Sequence, residues 1–318
     1  MPSPILVTGA AGFAGSHLIE LLTREGAEIV AWHRPGVAWP RDLAGATWEP
    51  VDLLDRSGVR NALARSRPAA VYHCAGAAHV GRSWDSTEPT FAVNVRGTHH
   101  LIEGLRDLQI DARILIPGSA MVYARADEAL SEDHPLVPAS PYALSKLAQE
   151  LVGSGNPGGP HVSIARAFNH FGPRQDPWFV ASGFARRIAD IEAGRWQPDI
   201  AVGNLDARRD LTDVRDTVRA YRLVLERGKP GRAYNVCSGR AIAIRDLLDM
   251  LLARARVPIR VKVDPARYRP NDLPLLVGDP RRIHDELGWT PAIPLDRTID
   301  DLLEYWRKLE PQTGARTR

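Results

Sequence analysis

The 318 residues include only two cysteines, Cys74 and Cys237, each in a short apolar run, VYHC and YNVC. Two such residues cannot build a disulfide framework, and both read as reduced, buried thiols. Neither CxxC nor HExxH occurs, and the ten histidines are scattered apart from His99 and His100. No metal site is therefore expected. No apolar run approaches the ~20 residues that would span a bilayer. The opening MPSPILVTGA lacks the basic stretch and long apolar stretch of a signal peptide. No membrane association is expected, and a cytoplasmic location is. The chain also lacks a dominant charge, with 41 basic against 38 acidic residues. A net charge of +3 is too balanced to point to nucleic acid as a partner. A few arginines gathered at an anionic ligand would account for the excess, and so would plain solubility. Hydrophobic residues at 44% and charged residues at 25% are ordinary for a globular protein.

What is present is an alternation of strand-like and helix-like runs. Residues 5–8, 28–32, 69–73 and 112–117 read as strands. Residues 16–24, 59–65 and 90–107 read as helices. That alternation predicts an α/β, doubly wound parallel sheet of Rossmann type. After about residue 165 the texture changes. Pro173, Pro177 and Pro198 mark a loop-rich region around a helix near 180–193. A strand is expected at 233–236, with later helices at 245–253 and 280–287. The expected division is a dinucleotide-binding domain over 1–165, rejoined near 202–245, and a smaller C-terminal substrate-binding lobe, mainly 166–318. GSGNPGGP at 153–160 stops a helix. It is a loop and not a domain linker, because VSIARAF resumes a strand at 162–168.

The first chemical motif is ILVTGAAGFAG, which sets GxxGxxG between a strand and a helix. Gly9 permits the tight turn, and Gly12 lets backbone approach a pyrophosphate. Gly15 lets the helix pack close to the strand, with Phe13 and Ala14 opening that helix. The helix start supplies amide donors and a positive dipole end. The second strand, EIVAWHRPG, ends without the carboxylate that would hold a ribose 2′-hydroxyl. His33 and Arg34 stand there instead. An arginine suits a 2′-phosphate, so NADP(H) is favoured and NAD(H) stays open. Asp52 and Leu53, in VDLLD, are placed beside the adenine. Ala75, Gly76 and Ala77 would line the cofactor path.

The second motif is SPYALSKLAQEL, which puts Tyr142 and Lys146 one helical turn apart on one face. A free phenol has a pKa of about 10, and a neighbouring ammonium lowers it toward a useful range. Ser119, in LIPGSAMVYA, ends the preceding strand and could hold a carbonyl oxygen beside Tyr142. Asn94, in FAVNVRGT, could position a water or the helix backbone near Lys146. His79, Ser83 and Trp84, in AHVGRSWDS, could line a sugar pocket. Trp84 reads equally well as a packed loop aromatic.

With these residues in order, nearly the whole chain resembles the extended short-chain dehydrogenases/reductases that modify nucleotide sugars. In that family the residues matching Ser119, Tyr142 and Lys146 are the catalytic triad. ARAFNHFGPRQ, VGNLDARRDLTDVRD and RPNDLPLLVGDP, closing on LGW, resemble GDP-mannose 4,6-dehydratases and the related GDP-4-keto-6-deoxy-D-mannose reductases. The resemblance implies that Asn169 and Arg209 contact a nucleotide diphosphate, assisted by Arg269. It places Asp272 where relatives often carry a Glu at the ribose or base. It further implies a GDP-sugar substrate and a homodimer formed through the helices at 90–107 and after Tyr142.

One departure divides these relatives. The dehydratase motif carries a Glu two residues after the catalytic Ser or Thr, and this chain has Met121 there. Methionine exchanges no proton. Elimination then lacks its acid/base, whereas carbonyl reduction needs only the triad and a hydride. The expectation is NAD(P)H-dependent reduction of a C4 ketone to a GDP-6-deoxyhexose such as GDP-D-rhamnose. A 4-epimerase, a dehydratase with a substitute acid, and a non-catalytic cofactor sensor on the same fold remain the rivals.

Overall fold

A computed structural model describes residues 3–40, 42–155, 160–268 and 273–309. The chain begins with β1 (Ile5–Thr8), α1 (Phe13–Arg24), β2 (Ile29–His33), β3 (Thr47–Pro50), α2 (Arg56–Ser66) and β4 (Ala70–His73). A continuous helical rod follows, made of α3 (Thr87–Phe91), a π-helical turn (Ala92–Arg96) and α4 (Gly97–Asp107). Next come β5 (Arg113–Ser119), α5 (Pro141–Ser154), β6 (His161–Ala167) and β7 (Asn169–Phe171). The remainder is α6 (Val180–Glu192), β8 (Asp199–Val202), β9 (Arg208–Asp213), α7 (Val214–Arg227), β10 (Ala233–Val236), β11 (Ala241–Ala243) and α8 (Ile244–Leu252). It ends with β12 (Arg260–Val263), β13 (Leu275–Leu276), α9 (Arg281–Leu287) and α10 (Leu295–Lys308).

Seven parallel strands form the central sheet, in the order β10-β6-β5-β4-β1-β2-β3. The chain leaves β1 toward one edge and returns at β4 toward the other. The crevice outside the carboxyl ends of β1 and β4 is therefore the switch point, where such sheets bind ligands. Both faces are covered. One core joins Leu18, Leu22, Val218, Tyr221 and Val224, and the other joins Val59, Leu63, Leu101, Leu105 and Ile114. This explains why the strands read as near-continuous apolar runs.

A second lobe has its own core of Phe171, Ala185, Ile188, Leu247, Leu251, Ile299 and Leu302. It carries β9 between β11 and β13, β7 beside β9, and a β8–β12 pair. Helix α7, strand β10 and helix α9 lie with the central sheet. Trp289 of LGW is buried there and donates its Nε1–H to the Asp216 carbonyl at 3.1 Å. The Asp216 carboxylate accepts from the backbone N–H groups of Ala292 and Ile293 at 2.9 and 2.8 Å. That motif thus serves packing, where burying a large side chain contributes about 1.5–3 kcal/mol.

The long helix expected at 90–107 starts earlier and is interrupted by the π turn. Helix α7 and helix α10 escape a reading by strand alternation. Their apolar residues follow helical spacing inside strongly charged stretches, Val214, Val218, Tyr221 and Val224 in one, Ile299, Leu302 and Leu303 in the other. Among the described residues no helix is long and apolar enough to cross a membrane. No cluster of metal-ligating side chains occurs among them either.

Candidate active site

The glycine turn fits a dinucleotide on steric grounds. Gly9 has φ +62°, and a Cβ there would lie 2.6 Å from the Ala75 backbone. A Cβ on Gly15 would lie 2.3 Å from the Gly9 carbonyl oxygen. Only glycine lets β1, the turn and α1 approach this closely. Gly12 is the N-cap of α1, with no side-chain cap and no acidic residue in the first turn. The helix start is left open to an anion. A cleft of about 360 Å³ opens here, lined by Ala11, Gly12, Ser16, Pro40, Asp42, Arg174 and Tyr305. Arg174 enters from the second lobe and donates to Glu20 of α1 at 2.6 Å; against the effect of burial, His17 and Arg174 together hold that carboxyl down to about 2. Phe13 stacks on His170, with centroids 5.7 Å apart, so α1 is packed against both lobes. Ala14 packs against the core of the central sheet.

At the end of β2, the His33 ring turns back on its own loop, bonded to the Arg34 and Val37 carbonyls at 3.2 and 3.1 Å. Arg34 is exposed beside it. Asp52 is exposed, and its carboxylate accepts from Leu54 N–H in an Asx turn. Leu53 is buried, and its carbonyl accepts from His100 at 2.8 Å.

Helix α5 begins where its sequence says it should. Ser140 caps it by accepting from Ala143 N–H at 3.1 Å, and Pro141 occupies the first turn. The Ser83 hydroxyl, buried, donates to the Val80 carbonyl at 2.6 Å and accepts from Tyr142 N–H at 3.1 Å. Ser83 thereby anchors the start of α5 by its hydroxyl. Tyr142 stands in the first turn, hydrogen-bonded to the Ser119 side chain. Burial pushes the Tyr142 phenol up, and the Ser119 bond opposes it. Ser119 Oγ also accepts from Met121 N–H at 3.2 Å. Met121 leans on the cluster of Ala120, Tyr123, Leu130 and Phe168.

Lys146 lies one turn further along α5, buried, with its ammonium on the Gln149 amide oxygen. Burial brings its pKa down to about 8, while the Glu150 charge and Cys74 work to hold it up. Glu150 is itself clamped by Arg166 at 2.9 and 3.1 Å, a buried pair whose guanidinium also donates to Tyr123 Oη. Asn94 sits in the π turn and is fully buried. Its amide oxygen accepts from Ala77 N–H at 2.7 Å, and its amide donates to the Ala77 carbonyl and to Ser145 Oγ at 3.2 and 2.9 Å. Asn94 therefore joins the Ala75-Gly76-Ala77 turn to α5. A π turn widens the helix at such a functional position.

On the sugar side, His79 stacks on Phe179 with centroids 4.9 Å apart and lies 3.9 Å from Asp176. Burial pushes the His79 imidazole down. Trp84 is exposed, as is Trp178, which carries Arg82 4.2 Å above its ring. Asn169 is exposed at the start of β7. Arg209, on β9, donates to the Leu273 and Arg208 carbonyls at 2.7 and 2.9 Å. Its neighbour Asp210, buried, gathers the Ser238 hydroxyl and the N–H groups of Ser238, Gly239 and Gly278. Arg269 and Asp272 lie outside the described residues.

The family model for GDP-mannose 4,6 dehydratase matches residues 6–302. The chain belongs to that family. It is 34% identical to GDP-6-deoxy-D-mannose reductase of Pseudomonas aeruginosa, over 96% of this chain and 98% of that one. It superposes on RMD from Pseudomonas aeruginosa complexed with NADPH with a TM-score of 0.83, at 31% identity, covering 96% and 99% of the two chains. A UDP-glucose 4-epimerase of Thermus thermophilus in complex with NAD gives a TM-score of 0.86 at 29% identity, covering 96% and 99%.

Within this dehydratase family the sequence motifs point to the triad, but they assign no role to Thr8, His73, Thr98, Gln149, Glu150 and Arg166. Gln149 and Glu150 could have been found from spacing alone, since they follow Lys146 at i+3 and i+4. His73 and Thr98 are brought in only by the sheet and the helical rod.

Proposed function

We propose that this protein reduces the C4 ketone of a GDP-4-keto-6-deoxy sugar at the expense of NADPH, giving a GDP-6-deoxyhexose such as GDP-D-rhamnose. The observation that carries the reading is a complete Ser119–Tyr142–Lys146 constellation with Met121 in place of a proton-exchanging residue. Resemblance to the reductase of Pseudomonas aeruginosa supports it. Met121 exchanges no proton where the dehydratase motif carries a Glu, and carbonyl reduction needs none there.

When bound along the Gly9–Gly15 turn, the dinucleotide supplies a hydride. Tyr142 Oη donates a proton to the C4 oxygen, and the Ser119 hydroxyl orients that oxygen by a second hydrogen bond. The Lys146 ammonium offsets the charge left on Tyr142 as its proton departs. Asn94 keeps α5 and the Ala75–Ala77 turn in register. Arg209 and Asn169 hold the nucleotide diphosphate, because a guanidinium fork suits phosphate oxygens. Arg269 and Asp272 complete that grip in this reading. His79 borders the sugar, and Ser83 acts there through Tyr142. Arg34 meets the 2′-phosphate, with His33, Asp52 and Leu53 framing the adenosine. Two copies pair through α4 and α5, whose Leu144 and Leu151 are exposed, and sedimentation tests that pairing.

The deciding experiment mixes the protein with NADPH and GDP-4-keto-6-deoxy-D-mannose and identifies the sugar formed. Oxidation of NADPH with a C4 alcohol as product is expected. No oxidation removes the reading, and a 4-keto product made from GDP-mannose alone would make the protein a dehydratase.

A further inference from the structure

Behind Lys146 runs a line of buried polar groups that the proposed chemistry does not use. The Lys146 ammonium donates to the Gln149 amide oxygen. The Gln149 amide donates to Thr98 Oγ1 at 2.9 Å. Thr98 Oγ1 lies 2.8 Å from His73 Nε2, and His73 Nδ1 lies 2.8 Å from Thr8 Oγ1. Thr8 Oγ1 in turn accepts from Ala75 N–H at 3.2 Å. Thr8, His73, Thr98 and Gln149 are each 1% exposed or less. The line runs from the residue before Gly9, across β1 and β4, to the catalytic helix.

Counting protons fixes the sense of every bond. A hydroxyl has one proton and accepts at two lone pairs. Thr98 gives its proton to the Asn94 carbonyl at 2.7 Å, and so accepts from both Gln149 and His73. His73 must then carry its proton on Nε2 and accept from Thr8 at Nδ1. The reverse sense would leave the buried Thr8 hydroxyl proton without an acceptor among the described residues, a cost of about 1–3 kcal/mol. Burial keeps the ring neutral, bringing its pKa down to about 3 with help from the Lys146 charge. A carboxamide in the line makes it a poor path for protons and a good brace.

We propose that Thr8, His73, Thr98 and Gln149 form one directional hydrogen-bond chain that positions the Lys146 ammonium relative to the dinucleotide turn, with His73 held as the neutral Nε2–H tautomer. These are positioning residues. The chain makes the geometry at Gly9 and the geometry at Lys146 interdependent, because one end fixes Ala75 beside Gly9 and the other holds Lys146, one turn after Tyr142 on α5. The assignment of Lys146 to catalysis rests on the function proposed above, whereas the chain itself does not.

The test compares the full-length protein with its Thr98→Val and Thr98→Ser variants. Valine keeps the shape and removes the node, and serine restores the hydroxyl. Nitrogen NMR on histidine- and lysine-labelled protein needs no substrate. The expected result is an Nε2–H signal for His73 that does not titrate near the ordinary imidazole value of about 6.5. A slowly exchanging Lys146 ammonium is expected in the parent and in T98S, and a fast-exchanging one in T98V. In turnover, T98V should lose about tenfold in kcat, equivalent to one hydrogen bond of roughly 1.4 kcal/mol, with T98S recovering most of it. A titrating or Nδ1–H His73, or identical ammonium exchange in all three proteins, overturns the chain. If the parent turns over no substrate, the function reading fails and the NMR result alone decides the chain.

Discussion

The two walls of the cleft are built on opposite principles. On the cofactor wall, Asn94, Thr98, Ser145 and Gln149 are buried, and each is hydrogen-bonded to backbone or to another side chain. Such fully paired interiors hold one geometry. On the sugar wall, Trp84 and Trp178 are 57% and 62% exposed, and Asn169 is exposed at a strand end. The difference teaches where specificity can vary. In the proposed function, a fixed wall would serve any nucleotide sugar that brings a C4 oxygen to Tyr142, while an open wall would select which one arrives. A reductase and a UDP-glucose 4-epimerase superposing equally well on this chain is consistent with that division.

The cofactor wall should break hardest. Replacing Tyr142 by Phe removes the proton donor and leaves the ring. The expected loss is about 10²–10⁴-fold in kcat, with NADPH affinity unchanged by fluorescence titration. A retained rate would move the proton donor elsewhere. Next is the clamp behind Lys146. Glu150→Gln leaves the buried Arg166 charge uncompensated, and urea unfolding should show a cost of about 3–5 kcal/mol. Glu25→Gln, at the exposed Arg222–Glu25 pair, should cost less than about 1 kcal/mol. Equal costs would show that Glu150 and Arg166 are not an effective pair.

How much of this was legible follows the same division. The glycine turn, Ser119 and the Tyr142–Lys146 pair could be read because local order carries their chemistry: strand, turn, helix start, and one helical turn. The sheet was legible for a similar reason, since strands buried on both faces read as apolar runs. Ser83 reads from its local sequence as a sugar-pocket residue, but its hydroxyl on Tyr142 N–H depends on a contact 59 residues away in sequence. His73 looked like an ordinary strand-end residue, and only the β1–β4 pairing sets it opposite Thr8. Helix α7, and β9 before it, were hidden because Asp210, Asp213 and Asp216 look like surface charges. In fact each is buried and collects donors from distant segments.

A smaller effect concerns pH and again separates the walls. Lys146 is brought down to about 8, so its charge is present below that value and lost as pH rises through it. The groups facing it are Glu150, Cys74 and His73. Reduction should therefore slow above about pH 8, by up to tenfold per unit in kcat/KM, which reports the free enzyme. Glu150→Gln removes a charge that favours the ammonium, and should move this limb to lower pH. A limb that stays in place would mean that Lys146 does not set it. Arg209→Lys, on the other wall, should raise KM for the nucleotide sugar by about tenfold and leave the pH profile alone, because an ammonium lacks the guanidinium fork.

The last expected effect lies at the rim, where the cofactor wall itself becomes exposed. Strand β2 ends without a carboxylate, and the His33 ring is occupied by the Arg34 and Val37 carbonyls. Arg34 is then the residue at that strand end free in direction to meet a 2′-phosphate, being exposed and beyond the turned-back ring. A charge-assisted bond at an exposed site is screened, so its contribution to discrimination is about 1.4 kcal/mol, or tenfold. Arg34→Ser should lower the NADPH-over-NADH ratio of kcat/KM by about that factor, and raised salt should erode the parent's ratio in the same direction. An unchanged ratio would transfer the choice of dinucleotide from this exposed rim to the shape of the buried wall, and the two-wall division would then extend to the cofactor as well as to the sugar.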